Sequence, residues 1–362
     1  MRAALALALL ACACARPASE PLPLGASSES CAGCHEEHGD EHALSPHAMS
    51  AGSPVLEAML PDVERAWGAF ARRQCEGCHA PAHSEDEGIG CVSCHAAIGN
   101  HAERDGMLAV DVAAPLAGPF GDAHTVAHRS RASDFLASPS LCGTCHEITG
   151  PVLVDEPTLT EYRASPQAAA GTTCADCHMP RAGERALSND SDRPRPVRSH
   201  RFVGFDPPWG ASPERAAEAA EETRALLASA LALRVERAEG GVEIVVTNVG
   251  AGHAVPTGAT FLRDLWVDVE IEGALHARVI TLGDQPMRGE EPVALLTQAD
   301  RVERGSLDPG AERRAFPPRR GGRRRHGHAA RPRHPRLGAR RARPRRTRRR
   351  DPTHLIASAQ PE

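Results

Sequence analysis

Cys142-Gly143-Thr144-Cys145-His146 is one of five copies of a Cys-x-x-Cys-His motif, and the fold is built around these five copies. The other four are Cys31–His35, Cys75–His79, Cys91–His95 and Cys174–His178. The chain has 12 cysteines, and all of them except Cys12 and Cys14 belong to these motifs. Five identical arrangements of the two residue types most used in redox and metal chemistry indicate a repeated cofactor site.

The motif is typical of covalent haem attachment. Each thiol bonds to one former vinyl group of the porphyrin, and two intervening residues let both sulfur atoms reach the same edge of the ring. The histidine that follows then ligates the iron. The sequence therefore predicts five c-type haems. The attachment residues are Cys31, Cys34, Cys75, Cys78, Cys91, Cys94, Cys142, Cys145, Cys174 and Cys177, and the proximal ligands are His35, His79, His95, His146 and His178.

Two other uses of paired cysteines fit less well. Zinc ribbons take two Cys-x-x-Cys pairs for each metal, so five pairs are an odd number, and no zinc site requires a histidine after every pair. Disulfides would suit an exported protein, but redox-active Cys-x-x-Cys sites rarely occur in fives. Both alternatives remain open at this point.

The motifs are closely spaced. Five haems between residues 31 and 178 are too many for each to occupy its own domain, and aromatic residues make up only 3% of the chain. We therefore expect the porphyrins themselves to form the interior of this region. Because 11 residues separate His79 from Cys91, we expect the second and third haems to lie in close contact.

The sixth position of each iron decides whether a haem carries electrons or binds substrate. The candidate distal ligands are His47, His101, His128, His200 and His253. His47 lies far enough after His35 to fold back onto a haem, and the glycines around His253 would let the backbone approach a haem face. His124 is the less favoured alternative to His128. We expect His38 and His42 to face solvent, and we expect no ligand role for His83 and His276.

The N-terminus predicts export. Met1-Arg2 followed by the apolar run Ala3–Ala11 is typical of a secretory signal, which we place at residues 1–15. The sequence Leu9–Cys12 resembles a lipobox, which would leave Cys12 lipidated, whereas Ala13-Cys14-Ala15 has the form of an ordinary cleavage site. Residues 16–30 are expected to be a flexible leader. The protein is thus expected in the periplasm or on the outer-membrane surface, with a lipid anchor as one alternative.

Charge divides the chain into two parts. All 42 basic residues are arginine, which excludes a catalytic or haem-ligating lysine. Residues 1–312 carry 24 Arg against 45 acidic residues, a net charge of −21. This balance disfavours nucleic acid as a partner and favours cationic proteins, or small anions guided by local basic residues. No apolar run approaches the ~20 residues of a membrane-spanning helix.

Residues 31–210 are expected to form a mostly helical, loop-rich pentahaem domain, and residues 211–312 a second domain of the α+β chain. Ser212-Pro213-Glu214 predicts a helix start, followed by a helix to about Leu233. Alternating apolar residues at 242–246 and 265–271 predict strands. A hairpin turn at 272–274 would precede the strand His276–Leu282. We interpret this part as a helix followed by a small antiparallel β-sandwich.

Residues 313–362 form an Arg/Pro-rich segment that we expect to be a disordered basic tail. Residues 313–350 contain 18 arginines and no acidic residue. Such a tail could bind anionic membranes or nucleic acid. The abrupt charge reversal and the interrupted strand order favour a frameshift in a GC-rich gene instead.

Several segments resemble multihaem cytochromes of the cytochrome c-554 type, which are related in haem packing to multihaem nitrite and hydroxylamine enzymes. The segments are Cys142–Glu147, Glu161–Pro166 before Gly171–Pro180, Ser199–Phe202 and Gly250–Gly258, and the resemblance covers roughly residues 31–270. It implies two histidine ligands at most haems, here with His47, His128, His200 and His253 as distal ligands, and one haem that can lack a sixth ligand. The chain departs from the related enzymes in two respects. The nitrite reductases use a lysine-ligated haem, which a chain without lysine cannot have. The hydroxylamine enzymes cross-link a tyrosine to a haem, whereas Tyr162, the only tyrosine here, is expected to pack.

The predicted function is electron transfer along five haems, between a quinol-linked, membrane-associated donor and a terminal reductase or external acceptor. Such redox proteins are the expected partners. The alternative is an oxidoreductase that acts on a small nitrogen or sulfur compound at one open haem. A third hypothesis is a haem-stabilised binding protein whose β-domain docks a partner. Enough histidines for every sixth position favour electron transfer.

Overall fold

The structure is a computed structural model that describes residues 27–82, 87–123, 125, 127–150, 153–204, 210–239, 241–263, 265–271, 273–317 and 355–357. The predicted signal with Cys12 and Cys14, the leader before residue 27, His83, His124 and most of the expected tail lie outside these residues. Within them, no helix combines the length and the apolar character needed to cross a membrane.

The first half consists of short helices joined by loops and small sheets. The helices are α1 (Ser28–Ala32), α2 (Glu36–Ala43), α3 (Pro54–Trp67), α4 (Ala69–His79), α5 (Cys91–His95), α6 (Asp134–Ala137), α7 (Pro139–Gly143), α8 (Thr158–Arg163), α9 (Pro166–Ala169) and α10 (Cys174–His178). The strands are β1 (Ala97–Asn100), β2 (Leu108–Val110), β3 (Leu116–Gly118), β4 (Ser130–Ala132), β5 (Arg181–Ala186) and β6 (Pro194–Arg198). They pair as β1–β2 and β5–β6, both antiparallel, and as β3–β4, which is parallel.

The short helices begin at residues that suit a helix start. Ser27, Ser53, Ser133 and Ser165 each accept a hydrogen bond from a first-turn amide, and these amides have no partner within the helix. Proline occupies the first turn of α3, α7 and α9, where its missing N–H costs nothing. Frequent starts and stops keep most helices of this half short, and four of the five motifs begin on helices of five residues.

The second half begins with α11 (Pro213–Ala230), where the Ser212 hydroxyl accepts a hydrogen bond from the Arg215 amide, as the sequence predicts. The strands that follow are β7 (Leu231–Ala238), β8 (Gly241–Asn248), β9 (Leu265–Ile271), β10 (Ala274–Leu282), β11 (Gln285–Arg288), β12 (Glu291–Pro292), β13 (Arg301–Glu303), β14 (Glu312–Ala315) and β15 (Leu355–Ala357). Two 3₁₀ turns lie at Thr260–Leu262 and Leu296–Gln298. The predicted hairpin is present as β9–β10, in antiparallel register around Gly273.

Three three-stranded sheets make up this half, with the strand orders β14-β8-β7, β10-β9-β15 and β12-β11-β13. Their pairings are antiparallel except β15 with β9. The expected helix end at Leu233 is wrong, because the chain leaves the helix at Ala230 and enters β7. Leu231 pairs with Asn248 at the start of that strand, so sheet pairing overrides the helix propensity of the Ala/Leu-rich sequence.

The aliphatic core lies in this second half. A cluster of buried residues takes members from α11 and from two sheets: Leu227, Ile244, Val246, Val255, Leu265, Val267, Val269, Ile280, Leu282 and Leu307. In the described part of the first half, many of the buried apolar residues are alanines, including Ala71, Ala96, Ala97 and Ala117. The arrangement is α+β, and this cluster of buried aliphatic side chains lies in the second half of the chain.

The expected start of a disordered tail at residue 313 is wrong. Strand β14 includes Arg313 and Arg314 and pairs with β8 from Thr247 to Ile244. The Arg313 guanidinium donates to the carbonyl oxygens of Thr281 and Gly305 at 3.1 and 2.8 Å. Arg314 forms ion pairs with acidic side chains of β7 and β8. These two arginines are therefore part of the sheet, and β15 also lies within the span expected to be disordered.

Candidate functional site

Each of the five motifs lies on a single helical turn. Three of the motif histidines, His79, His95 and His178, are the last residues of their helices. In the other two motifs the turn continues past the helix end, as the His146 amide donates to the Cys142 carbonyl oxygen at 2.9 Å. The turn places both cysteines and the histidine of each motif beside one another, as attachment to one porphyrin edge requires. The ten described motif cysteines are all free thiols.

The orientation of each motif histidine is fixed through Nδ1. In four motifs this nitrogen lies within hydrogen-bond distance of a backbone carbonyl oxygen: Leu187 for His35, Ser50 for His79, Ala117 for His95 and Val203 for His178, at 2.5 to 3.0 Å. A carbonyl accepts the proton of Nδ1, so the unprotonated nitrogen of a neutral ring is Nε2. That nitrogen is the one an iron would take.

Four of the motif histidines face a second histidine ring. The ring centroids are 6.3 Å apart for His35–His128, 6.3 Å for His47–His146, 6.3 Å for His95–His200 and 6.2 Å for His178–His253. The second ring comes from a distant part of the chain in every pair. The last two pairs are nearly parallel, with interplanar angles of 17° and 19°.

This repeated separation has a simple chemical meaning. Two imidazoles in direct contact would stack or form edge contacts at varied distances. A metal bonded to one nitrogen of each ring, at roughly 2.0 Å per bond, holds the two ring centres about 6 Å apart. The residues present therefore fit an iron ligated from both sides at four positions.

The electrostatics of these rings also suit metal ligation, which requires an unprotonated nitrogen. Burial lowers the pKa of His47 and of His200 to about 3. Burial likewise lowers the pKa of His79, His178 and His253. These rings are neutral at physiological pH.

Three other histidines have surroundings that differ from those expected from the sequence. His101, expected as a distal ligand, is exposed in a turn after β1, and it makes no ring contact with a motif histidine in the described part of the chain. His42, expected to face solvent, is buried and lies 2.9 Å from the Ile89 carbonyl oxygen through Nε2. His38 packs edge-on against His200, with the ring centroids 4.8 Å apart. The acidic helix α2 thus turns its histidine face inward.

His79 differs from the other motif histidines. Its Nδ1 is 3.0 Å from the Ser50 carbonyl oxygen, and the Ser50 hydroxyl donates to the carbonyl oxygens of His47 and His79. Among the described residues, no second histidine ring faces it at the separation seen in the four pairs. The second motif is the exception in an otherwise regular set.

Contacts between thiols show which motifs are neighbours in space. Cys31 contacts Cys91, Cys78 contacts Cys145, and Cys142 contacts Cys174. These contacts join the first motif to the third, the second to the fourth and the fourth to the fifth. The expectation that the second and third motifs pair because they are close in sequence finds no such contact within the described residues.

A glycine turn joins the second and fourth motifs. Gly106 has φ +71°, and a side chain there would meet the Gly77 backbone and the Cys78 thiol within 3 Å. The Gly106 amide donates to the Thr144 carbonyl oxygen at 2.8 Å, and the preceding Asp105 amide donates to that of Glu147. The turn therefore holds motif two against motif four.

The histidine of the fourth motif differs from the other motif histidines in its hydrogen-bond partner. His146 Nδ1 lies 2.8 Å from Oε1 of Glu156, which is 6% exposed. Burial of the ring opposes protonation, but the hydrogen bond and the charge of Glu156 together raise the pKa of His146 to about 9. The facing ring differs, because the buried Nδ1 of His47 has no hydrogen-bond partner among the residues that the structure describes. One pair thus combines a ring bonded to a carboxylate with an unpartnered ring.

The β-half contributes to the site through the loop that carries His253. Asn248 is 1% exposed and donates from Nδ2 to the His253 and Leu307 carbonyl oxygens at 2.8 and 2.9 Å. The Ala254 amide donates to Glu161 of α8 at 2.8 Å. These bonds fix the loop from both halves of the chain and bring His253 to the fifth motif.

Sequence reasoning missed the side chains that support the rings. Three side chains outside the motifs contact the candidate ligand histidines: Glu156, Ser50 and Phe202, whose ring lies 4.3 Å from that of His47. Phe202 stood in a segment already singled out by resemblance, but no pattern marked the other two. The hydroxyl of Tyr162 donates to the Thr172 carbonyl oxygen at 3.0 Å.

Comparison with known proteins identifies one similar fold. No family model matches the chain, and no curated protein matches it. A penta-heme cytochrome c552 from Thermochromatium tepidum has a similar structure, with a TM-score of 0.56 and 18% sequence identity. The match covers 80% of this chain and 86% of that one. The chain thus shares its fold with a five-haem cytochrome.

Proposed function

We propose that this protein is a multihaem c-type cytochrome that transfers electrons along five covalently bound haems. The ten motif cysteines hold the porphyrins, and His35, His79, His95, His146 and His178 are the proximal ligands. His128, His47, His200 and His253 are the distal ligands of motifs one, four, three and five. His101 has no part in this assignment.

The observation that carries the proposal is the uniform 6.2–6.3 Å separation of four histidine ring pairs. Each pair joins a motif histidine to a ring from another segment, so chance sequence proximity does not explain it. An iron with two histidine ligands has no site for substrate, and its coordination is the same in both oxidation states. Such a centre suits electron transfer.

The neighbouring motifs give the electrons a continuous route. Thiol contacts link motifs one and three, four and five, and two and four, while Cys94 of motif three interacts electrostatically with Cys142 and Cys145. The route would connect a quinol-linked donor to a terminal reductase or an external acceptor, in the periplasm or at the outer-membrane surface. The net charge of −21 over residues 1–312 favours partners with a basic face.

The test of the ligand assignment compares two single variants of the full-length, haem-loaded protein. His200→Ala should convert one low-spin iron to a high-spin form in the electron paramagnetic resonance spectrum, because motif three loses its distal ring. His101→Ala, the matched control, should leave the spectrum unchanged. Five haems for each chain in a pyridine haemochrome assay are expected in both. The opposite result for the two variants would overturn the assignment.

A second candidate function follows from His79, which faces no second histidine ring in the described part of the chain. We infer that the haem of motif two has an open sixth position, where a small nitrogen or sulfur compound could bind and be reduced or oxidised. The ferric protein should then show a high-spin component from about one of its five irons, and nitrite, hydroxylamine or cyanide should shift it. A spectrum that is entirely low-spin and unchanged by these ligands would refute this second function and leave electron transfer as the proposed one.

A further inference from the structure

The contact between His146 and Glu156 has a consequence that rests on the proposed function, since it requires an iron at motif four. Of the five motif histidines in the described structure, four place Nδ1 against a neutral backbone carbonyl oxygen and His146 places it against a carboxylate. The donor–acceptor distance is 2.8 Å. Glu156 is the one acidic side chain that bonds a proximal ligand among these residues.

Within the described part of the chain, no arginine pairs with the Glu156 carboxylate. Its only ion-pair partner among the described residues is the His146 ring. The Thr158 hydroxyl, 3.5 Å from Oε1, supplies a weak hydrogen bond, and the backbone of Glu156 is fixed by a bridge to Ile148. A buried carboxylate without a cation is costly unless a nearby positive charge compensates it.

A ferric haem supplies such a charge. The two negative charges of the porphyrin ring leave iron(III) with a net positive charge and iron(II) with none. A buried carboxylate bonded to the ligand therefore stabilises the oxidised state more than the reduced state. The same hydrogen bond increases the electron donation of the imidazole to the iron, since an anionic acceptor raises ligand basicity.

We propose that Glu156 is a positioning residue that gives the haem of motif four the lowest reduction potential of the five. Reduction adds one electron to the iron, and the proton on His146 Nδ1 stays in its hydrogen bond to Glu156. No bond is made or broken. The electron comes from the redox partner or, in a titration, from dithionite.

The place of motif four gives this potential a role in electron flow. Its two thiols contact motif two through Cys145 and motif five through Cys142. Electrons that pass between motif two and the others by this contact route cross motif four. A low potential at this position makes transfer onto motif four the uphill step of this route, whether the electron comes from motif two or from motif five.

The test is a redox titration of the full-length, haem-loaded Glu156→Gln variant against the wild type. Glutamine keeps the size of the side chain and removes its charge. One of the five midpoint potentials should rise by at least about 59 mV, which for one electron corresponds to a tenfold change in equilibrium constant. The other four should not change. The control is Glu147→Gln, because Glu147 is also buried and adjoins His146 but bonds Thr160 instead. Glu147→Gln should shift no midpoint potential by as much as Glu156→Gln does.

The proposal would be overturned if no midpoint potential rose in Glu156→Gln, or if one fell instead. It would also be overturned if Glu147→Gln raised the same midpoint potential by an equal amount. A measurement on the unmodified protein guards against a variant that fails to fold. The low-spin signal that disappears in His47→Ala belongs to motif four, and in the wild type it should be the last signal reduced. Its earlier reduction would contradict the proposal. Fewer than five haems in the wild type would instead refute the proposed function.

Discussion

The motif-bearing half and the β-half of this chain have different interiors. In the β-half, aliphatic side chains from α11 and from two sheets pack against each other, with Ile244, Val245 and Leu282 almost wholly buried. In the motif half, four pairs of histidine rings face one another with centroids 6.2–6.3 Å apart, and many of the buried apolar residues described there are alanines. The first kind of interior is stabilised by the hydrophobic effect. The second requires its cofactor.

The largest effect on folding is expected when haem attachment is prevented. Replacing the ten motif cysteines by serine prevents covalent attachment, and the motif half then has no interior to fold around. Hydrogen exchange should show unprotected amides in α1–α10 and retained protection in β7 to β10, since the aliphatic core is unchanged. The haem-loaded wild type provides the reference. Equal protection of the two halves in the variant would show that the motif half folds without haem.

The converse change is made in the aliphatic core. Ile244→Ala removes a side chain that is 0% exposed, and the free energy of unfolding of the β-half should fall by about 2–5 kcal/mol. Urea unfolding followed by circular dichroism measures this. Leu275→Ala, at a position 68% exposed, is the control and should stay within about 0.5 kcal/mol of wild type. Similar losses in both variants would refute the distinction between the two positions.

Asn248 lies where the two interiors meet. Asn248→Ala removes the side-chain hydrogen bonds to the His253 and Leu307 carbonyl oxygens, so the free energy of unfolding should fall by about 1–3 kcal/mol. The loop with His253 should also loosen, which would add a high-spin signal from motif five. Asn189→Ala, at an exposed position whose side chain makes only a long hydrogen bond of 3.5 Å to the Gly33 carbonyl oxygen of motif one, is the control for the motif-five signal and for stability. A fully low-spin Asn248→Ala protein would show that His253 is held by other contacts.

The smallest effect concerns an ion pair at motif five. Arg198, with further hydrogen bonds from Thr173, lowers the pKa of Asp176 from 3.8 to about 2. Because the folded pKa lies below the unfolded one, this stabilisation is present above pH 4 and lost as the pH falls toward 2. The urea midpoint of wild type should therefore exceed that of Asp176→Asn at pH 7, with the difference closing below pH 4. A difference that does not change with pH would contradict this.

The sequence predicted local chemistry well and long-range pairing poorly. The five motifs, the α11 start and the β9–β10 hairpin depend on neighbouring residues, and all were recognisable. The partners of the motif histidines depend on tertiary structure, so spacing could suggest His253 as a ligand but not join it to His178 in particular. His101 follows His95 by six residues, but closeness in sequence does not bring two rings together when the chain turns and exposes one of them. Glu156 carried no signal, since nothing near it repeats.

The central claim is that haem irons occupy the interior of the motif half, between the histidine pairs. Diffraction from crystals of the haem-loaded protein at the iron absorption edge tests it most directly. The account predicts five iron positions, four of them midway between His35 and His128, His47 and His146, His95 and His200, and His178 and His253, with the fifth beside His79. Fewer than five irons, or irons displaced from the space between these rings, would contradict it.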